Sequence, residues 1–517
     1  MSVAFEPRDG RRSGPIAARW RAGIPSDSAI ALLAVALCAL IWSVLPIILL
    51  SAPPGDNVEQ LNWSHAWQWG YFKHPPLPTW LLRAAITVFG PSAGLTYVLA
   101  MACVALALIL VWLAAREVLA PREALAALLV STANYYLMGR GSILNHDTAM
   151  LPFVALSAWS VLRIARGAGW SMWLVLGLAQ AFGLLTKYQM GLTVIANAVA
   201  LLAAGAHRQP RFLRHVALAA AATLLPLGPH VIWLFDHHFS TFQYAGENLL
   251  ADVDPEQRLG VGLGFLAQQV VRLAPALLAI ALARWFARAI SDGAAAAPPD
   301  ASAAGPNIAA AMLAVLALLP LAGVLVLTVL AGVAAQNHWG ATSTLLIPLL
   351  LVTRVRLSGS RALASAAAAT ALCHVGAIVW NVAVWRIDPA PTHRFAARSL
   401  AALAQSYWSQ HENGPLRYVL GPEWEAGAVA LYLPGHPELL PNTGSRIFPR
   451  FMRAEIAQCG ALVIGRPNQP LVPQIPVLHG EAARATDVTV LAARDSLGRE
   501  SEVQVARVTP LPGPGCP

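Results

Sequence analysis

The feature that most constrains this chain is a succession of apolar runs, most of about 20 residues, separated by short polar connections. In lipid the backbone must satisfy its own hydrogen bonds, so runs of this length fold as membrane-spanning helices. Spans are expected near 28–51, 92–115, 121–138, 146–165, 170–186, 188–205, 212–235, 261–283, 307–333, 341–353 and 361–385. Composition agrees: 57% of residues are hydrophobic and only 12% are charged, against about 25% charged in a soluble domain. The expected fold class is therefore an all-α polytopic membrane protein of about 11 helices.

Charge placement orients the spans. Arg8, Arg11, Arg12, Arg19 and Arg21 precede the first run, and Arg116, Arg122, Arg163, Arg166, Arg208, Arg211, Arg214, Arg284, Arg288, Arg354, Arg356 and Arg361 fall in the same alternate set of connections. The opposite set holds Lys73, Arg83, Arg140, Lys187 and Arg258. The positive-inside rule places the Arg-rich set in the cytoplasm. The net charge of +9 is thus spent on orientation, and nucleic acid is not an expected partner. Residues 1–27 form a cytoplasmic basic tail, 28–386 the membrane domain, and 291–307 a flexible linker by composition. After Trp385 short β-type runs such as RYVLGPEWEAGAVALYLPG, ALVIG, DVTVLAARD and EVQVARV predict a small α/β domain over 387–517 on the outer face. Cys459 and Cys516 can pair there if the compartment is oxidising.

Polar chemistry gathers at the outer ends of the spans. The first outer loop, 52–91, carries Asp56, Glu59, His65, Lys73, His74 and the aromatic residues Trp63, Trp67, Trp69, Tyr71 and Trp80. Asp56 is either the N-cap of a short interfacial helix over Val58–Trp69 or a general base, with Glu59 on the same helical face. Lys73 and His74 precede a Pro-Pro pair that holds them at a set angle for phosphate binding, or for snorkelling and capping. Asp147 opens the fourth span as a cap or as a second site acid, and Lys187-Tyr188 stands at a tight outer turn. His237, His238, Tyr244, Glu247 and Arg258 flank the next outer loop, while Asn337, His338 and Trp339 form another outer turn. Asp252-Val-Asp254 resembles metal-binding acid pairs, and His65, His74, Asp56 and Glu59 offer an alternative metal set, but no metal or cofactor is expected.

Taken in order, DNVEQ, GYFKHPPLPTWL, NHDTAMLPF, GLLTKYQ, NHWGATSTLLIP and EWEAGAVALYLPGHPEL resemble the GT-C membrane glycosyltransferases. The likeness is to family 39, the protein mannosyltransferase-like family, and to related aminoarabinose and galacturonic acid transferases of lipid A and core. It implies that Asp56 is the first-loop base, Asp147 the second acid and Lys187 the lysine of the family's T-K segment. His74 falls where members carry the lysine of E-K-P-P or the histidine of D-H-P-P, whereas Lys73 departs from the acid usual before it.

The implied reaction is an inverting transfer from a polyprenyl-phosphate sugar to lipid A, core, another glycolipid or a protein at the periplasmic face of the inner membrane. Asp56 or Glu59 takes the acceptor proton, and Lys187 with Lys73 or His74, and Arg258, faces the leaving phosphate. Tyr188 and His338 complete the expected binding set. A transporter or flippase for lipid-linked sugar is the rival; it would place its charges mid-span.

Overall fold

A computed structural model describes residues 26–249, 253–289, 308–355, 357–387, 394–441, 453–467, 485–495 and 497–510, with Gln469, Leu471 and Cys516. Residues 1–25 of the basic tail, the 291–307 linker and Asp252 of the acid pair lie outside the described residues.

The helical body comprises α1 (Ser26–Leu49), α2 (Gly55–Trp63), α3 (Leu77–Phe89), α4 (Ala93–Val118), α5 (Pro121–Thr132), α6 (His146–Ala165) and α7 (Trp170–Thr186). It continues through α8 (Met190–Ala203), α9 (Phe212–Asp236), α10 (Ser240–Leu249), α11 (Arg258–Ala289), α12 (Ile308–Ala331), α13 (Ala341–Val355) and α14 (Gly359–Ile387). Every expected apolar run falls on a helix. Among the described residues, seven helices (α1, α4, α6, α9, α11, α12 and α14) are long and apolar enough to cross a membrane. Leu33, Leu40, Leu225, Val375 and Val379 on these helices stay exposed, as a lipid-facing surface requires and a water-soluble one rarely tolerates.

Two local expectations are corrected. The third run is helical only to Thr132, not to residue 138. The Asn134 side chain accepts from the Tyr136 amide (3.0 Å) and donates to the Thr344 carbonyl (2.9 Å), so it binds backbone outside the helix rather than continuing it. The interfacial helix of the first loop is Gly55–Trp63 rather than Val58–Trp69, with Pro54 at its N-cap position and Asp56 in its first turn.

The C-terminal domain carries α15 (Ala397–His411), α16 (Glu423–Ala430) and α17 (Arg453–Cys459) around a five-stranded sheet. Its strands are β1 (Tyr418–Gly421), β2 (Glu438–Pro441), β3 (Ala461–Gly465), β4 (Ala485–Arg494) and β5 (Glu500–Val508), in the order β2-β1-β3-β5-β4. β1 pairs parallel with β2 and β3, and β5 pairs antiparallel with β3 and β4. The stretch read as β-type through RYVLGPEWEAGAVALYLPG is strand only at β1. Pro422 then opens α16, whose first-turn Glu423 and Glu425 suit a helix N-terminus and whose alanines favour helix. Cys459 and Cys516 are joined in a disulfide.

What positions the site is the clamping of the 52–91 loop between the two parts. On one side Asn57 donates to Thr96 Oγ1 (2.6 Å) and accepts from the Leu144 amide (3.1 Å), while Thr79 donates to Gln60 (2.7 Å). These buried bonds tie α2 to α3, to α4 and to the turn before α6; buried polar groups left unpaired would be costly. On the other side Val58 packs so closely on Gly427 of α16 that no Cβ fits there. Trp424 donates to the Pro53 carbonyl (2.9 Å), and Trp63, stacked on Tyr71 at 5.0 Å, joins the cluster beneath β1 and β3.

Candidate active site

Asp56 and Glu59, one turn apart on α2, face a cavity of about 770 Å³. Its wall also includes Lys73, His74, Arg140, Asn145, Asp147, Lys187, Tyr188, Tyr244, His338 and Trp339. Eight of the nine residues singled out in sequence as catalytic or binding therefore meet at one place. The ninth, Arg258, is absent from that wall: it donates to the carbonyls of Val253 (3.2 Å) and Leu330 (3.4 Å), fastening the start of α11 to the end of α12. The alternative metal set does not assemble, because His65 lines separate cavities against the C-terminal domain. Among the described residues no group of three or more His, Cys, Asp or Glu side chains converges as metal ligands would.

Each functional side chain is held by a local device. Asn145 is the N-cap of α6 through the Thr148 amide (2.9 Å), and its own amide donates to Asp56 Oδ2 (3.1 Å). Capping therefore falls to Asn145, which leaves Asp147 in the first turn to face the cavity. Lys187 ends α7 in extended backbone, and its ammonium meets both Asp147 oxygens at 2.9 and 2.8 Å. His338 Nε2 stands 3.5 Å from Asp147 Oδ2, and Lys187 also lies over the Trp339 ring at 5.5 Å. Tyr188 shares its hydroxyl with His230 (2.9 Å) and Thr241 (3.0 Å). His74 is set by a tight turn in which it exchanges backbone bonds with Tyr71 (3.0 and 3.1 Å).

A second ionic cluster was legible only in part. Lys73 bonds Glu59 and, at 3.1 Å, Glu423 of the C-terminal domain. Glu423 opens the segment EWEAGAVALYLPGHPEL, but nothing there marks it as a partner for Lys73; an acid after proline at a helix start reads as a helix-end residue. Burial, with Glu423 adding and Lys73 opposing, lifts the Glu59 carboxyl to about 8. Burial also works against the Lys73 charge, but the two carboxyls outweigh it and raise its pKa. His74 is held well below the usual histidine range by burial and by His146, Lys187 and Lys73. His338 is lowered to about 4, by burial first, with Lys187 adding and Asp147 opposing.

Two carboxyls sharing one ammonium make a non-additive prediction. Glu59→Gln leaves Lys73 the Glu423 carboxylate, and Glu423→Gln removes a neighbour that helps hold Glu59 protonated, so Glu59 ionises toward Lys73; each single variant therefore melts close to wild type at pH 7. The double variant strands a buried ammonium and loses about 3–5 kcal/mol. Between about 4.5 and 8 native Glu59 keeps a proton that the unfolded chain has released, so its contribution to stability falls as pH rises. Glu59→Gln removes that slope. Melting curves of the three variants from pH 5 to 9 in detergent check this; additive losses would sink the shared-ammonium account.

Comparison with known proteins gives this geometry a setting. Residues 73–233 match the family model described as dolichyl-phosphate-mannose-protein mannosyltransferase. That stretch contains Lys73, His74, Asp147, Lys187 and Tyr188, and excludes Asp56 and Glu59. The chain is 26% identical to the lipopolysaccharide core galacturonosyltransferase RgtA of Rhizobium johnstonii, over 61% of this chain and 62% of that protein. It is 25% identical to RgtB of the same organism, over 59% of this chain and 60% of the relative. The matches thus span about three fifths of these relatives' length. The fold is that of ArnT from Cupriavidus metallidurans, solved bound to undecaprenyl phosphate: TM-score 0.62 at 14% identity, covering 94% of this chain and 99% of that one. The kinship expected from the ordered segments is borne out.

Proposed function

We propose that this chain, a GT-C membrane protein of the protein mannosyltransferase-like kind, transfers a sugar from a polyprenyl-phosphate donor to an envelope glycolipid. The observation that carries the reading is the arrangement of Asp56, held by Asn145, in the same cavity wall as the Asp147–Lys187 pair. Undecaprenyl phosphate in the ArnT structure supports the donor class, and the relatives named as lipopolysaccharide core galacturonosyltransferases support lipid A or core as acceptor over protein.

In this reaction Asp56, rather than Glu59, is the base. Its Oδ2 takes one bond from Asn145, and Oδ1 has no partner among the described residues; Glu59 is engaged by Lys73. Asp56 accepts the proton of the acceptor hydroxyl as that oxygen attacks the anomeric carbon, and the bond to the lipid phosphate breaks on the opposite face. One displacement inverts the configuration and calls for no cofactor. Lys187, aimed by Asp147, and Tyr188 line the same wall, where donors for a developing negative charge stabilise the transition state. His74 and His338 serve as neutral contacts for sugar hydroxyls.

The same reading has all eleven helices that match the expected spans crossing the inner membrane, with the C-terminal domain in the periplasm. The one-sided arginine distribution supports this orientation, and so does the Cys459–Cys516 disulfide, which persists in an oxidising compartment.

Mass spectrometry of envelope glycolipids from cells lacking the protein tests the function. One glycolipid is expected to lose a single sugar mass that the wild-type chain restores. Accumulation of lipid-linked sugar in the inner leaflet, with every glycan mass unchanged, would overturn it.

A further inference from the structure

The cavity's cations differ in how far their charge is already committed. Lys187 places its ammonium on both oxygens of Asp147. Lys73 lies between Glu59 and Glu423. Burial keeps His74 and His338 toward their neutral forms. Arg140 remains: it is exposed on the cavity wall, and its guanidinium makes no hydrogen bond or ion pair among the described residues.

The turn that carries Arg140 is fixed, so the exposure is not that of a loose loop. The Gly141 amide donates to the Tyr136 carbonyl (2.7 Å) and the Ile143 amide to the Arg140 carbonyl (2.9 Å). Ser142 Oγ donates to the Gly139 carbonyl (2.9 Å). Tyr136, Leu137 and Met138 before it and Gly141 and Ser142 after it are buried. A rigid turn thus presents one guanidinium to the cavity, five residues before the Asn145 that holds Asp56.

A guanidinium is always charged, and its planar fork matches an oxyanion through two parallel bonds. We infer that Arg140 receives an oxyanion carried by the lipid donor, the phosphate of the polyprenyl phosphate or the carboxylate of a uronosyl group. This rests on the donor class proposed above. It adds a ground-state anion contact with an uncommitted charge to the transition-state donors Lys187 and Tyr188.

The test compares wild type, Arg140→Gln and Arg140→Lys, purified in detergent, for binding of undecaprenyl phosphate, undecaprenol and phosphatidylglycerol. If the phosphate is the ligand, Arg140→Gln weakens undecaprenyl phosphate about ten- to a hundredfold, the range of a charged hydrogen-bonded contact. Undecaprenol binding stays unchanged, and Arg140→Lys, charged but without the fork, falls between. If the carboxylate is the ligand, undecaprenyl phosphate binding holds, while KM rises tenfold or more for a uronosyl donor and not for a neutral-sugar donor. Unchanged binding together with unchanged KM overturns the inference and leaves the proposed function standing. Equal losses for undecaprenyl phosphate and phosphatidylglycerol also overturn it, since Arg140 then reads bulk headgroups. A wild-type protein that binds no undecaprenyl phosphate overturns the donor reading itself.

Discussion

Asp56→Asn protein, made at wild-type level, is expected to transfer sugar about 10²–10⁴-fold more slowly, the usual share of a general base. The substitution preserves shape, and an amide oxygen at this position still accepts from Asn145 Nδ2, now 3.1 Å from the carboxylate. The buried ties that hold α2, through Asn57 and Gln60, are untouched, so melting temperature stays near that of wild type. Only the capacity to take a proton is lost. Single-turnover rates with a lipid-phosphate sugar donor, measured beside donor binding, separate the two: kcat falls and donor affinity holds. Full activity in Asp56→Asn would remove Asp56 as base and turn attention to Glu59, which Glu59→Gln examines with the same assay.

Lys187→Met carries the largest expected structural effect. Lys187 and Asp147 are paired with little exposure of either side chain, so removing the ammonium leaves a buried carboxylate whose neighbour at 3.5 Å, His338, is neutral at pH 7. Breaking such a pair costs about 3–5 kcal/mol, whereas replacing both partners by apolar groups is often neutral. Lys187→Met should therefore melt well below wild type, and Lys187→Met with Asp147→Leu should recover most of the loss without recovering transfer.

The pH dependence carries its own sign. In the wild type His338 resists protonation, at about 4, and Lys187 is one cause. Without Lys187 the attraction of Asp147 is less opposed, and His338 takes up a proton at higher pH. That charge partly replaces the missing ammonium, so the deficit of Lys187→Met relative to wild type is smaller near pH 5 than near pH 8. A deficit that does not change with pH would remove His338 from the pair's surroundings.

Much of this site was legible before any coordinates. Asp56, Glu59, Asp147 and Lys187 stand at the Arg-poor ends of apolar runs, where an ionisable side chain is costly unless it is used or paired. Spacing along the chain placed Asp56 and Glu59 one helical turn apart, and both reach the cavity. Arg258 shows the limit of such reasoning. It lies at the end of an apolar run like the others, but its guanidinium is spent on the Val253 and Leu330 carbonyls. His65 lies six residues from Glu59 yet lines other cavities.

By itself the sequence determined where the apolar runs fold as helices, which run ends carry Arg, and which acids stand at the opposite ends. These are local matters, since each apolar run must bury itself and each boundary charge must answer to the field it sits in. Only the tertiary structure decided which charges cancel. Glu423 reaches Lys73 across 350 residues of chain, Asp147 takes Lys187 from the next hairpin, and Arg140 is left without a partner among the described residues. The physical reason is that ion pairing depends on separations of a few ångströms between turns far apart in the chain, and no pattern along the sequence encodes that distance.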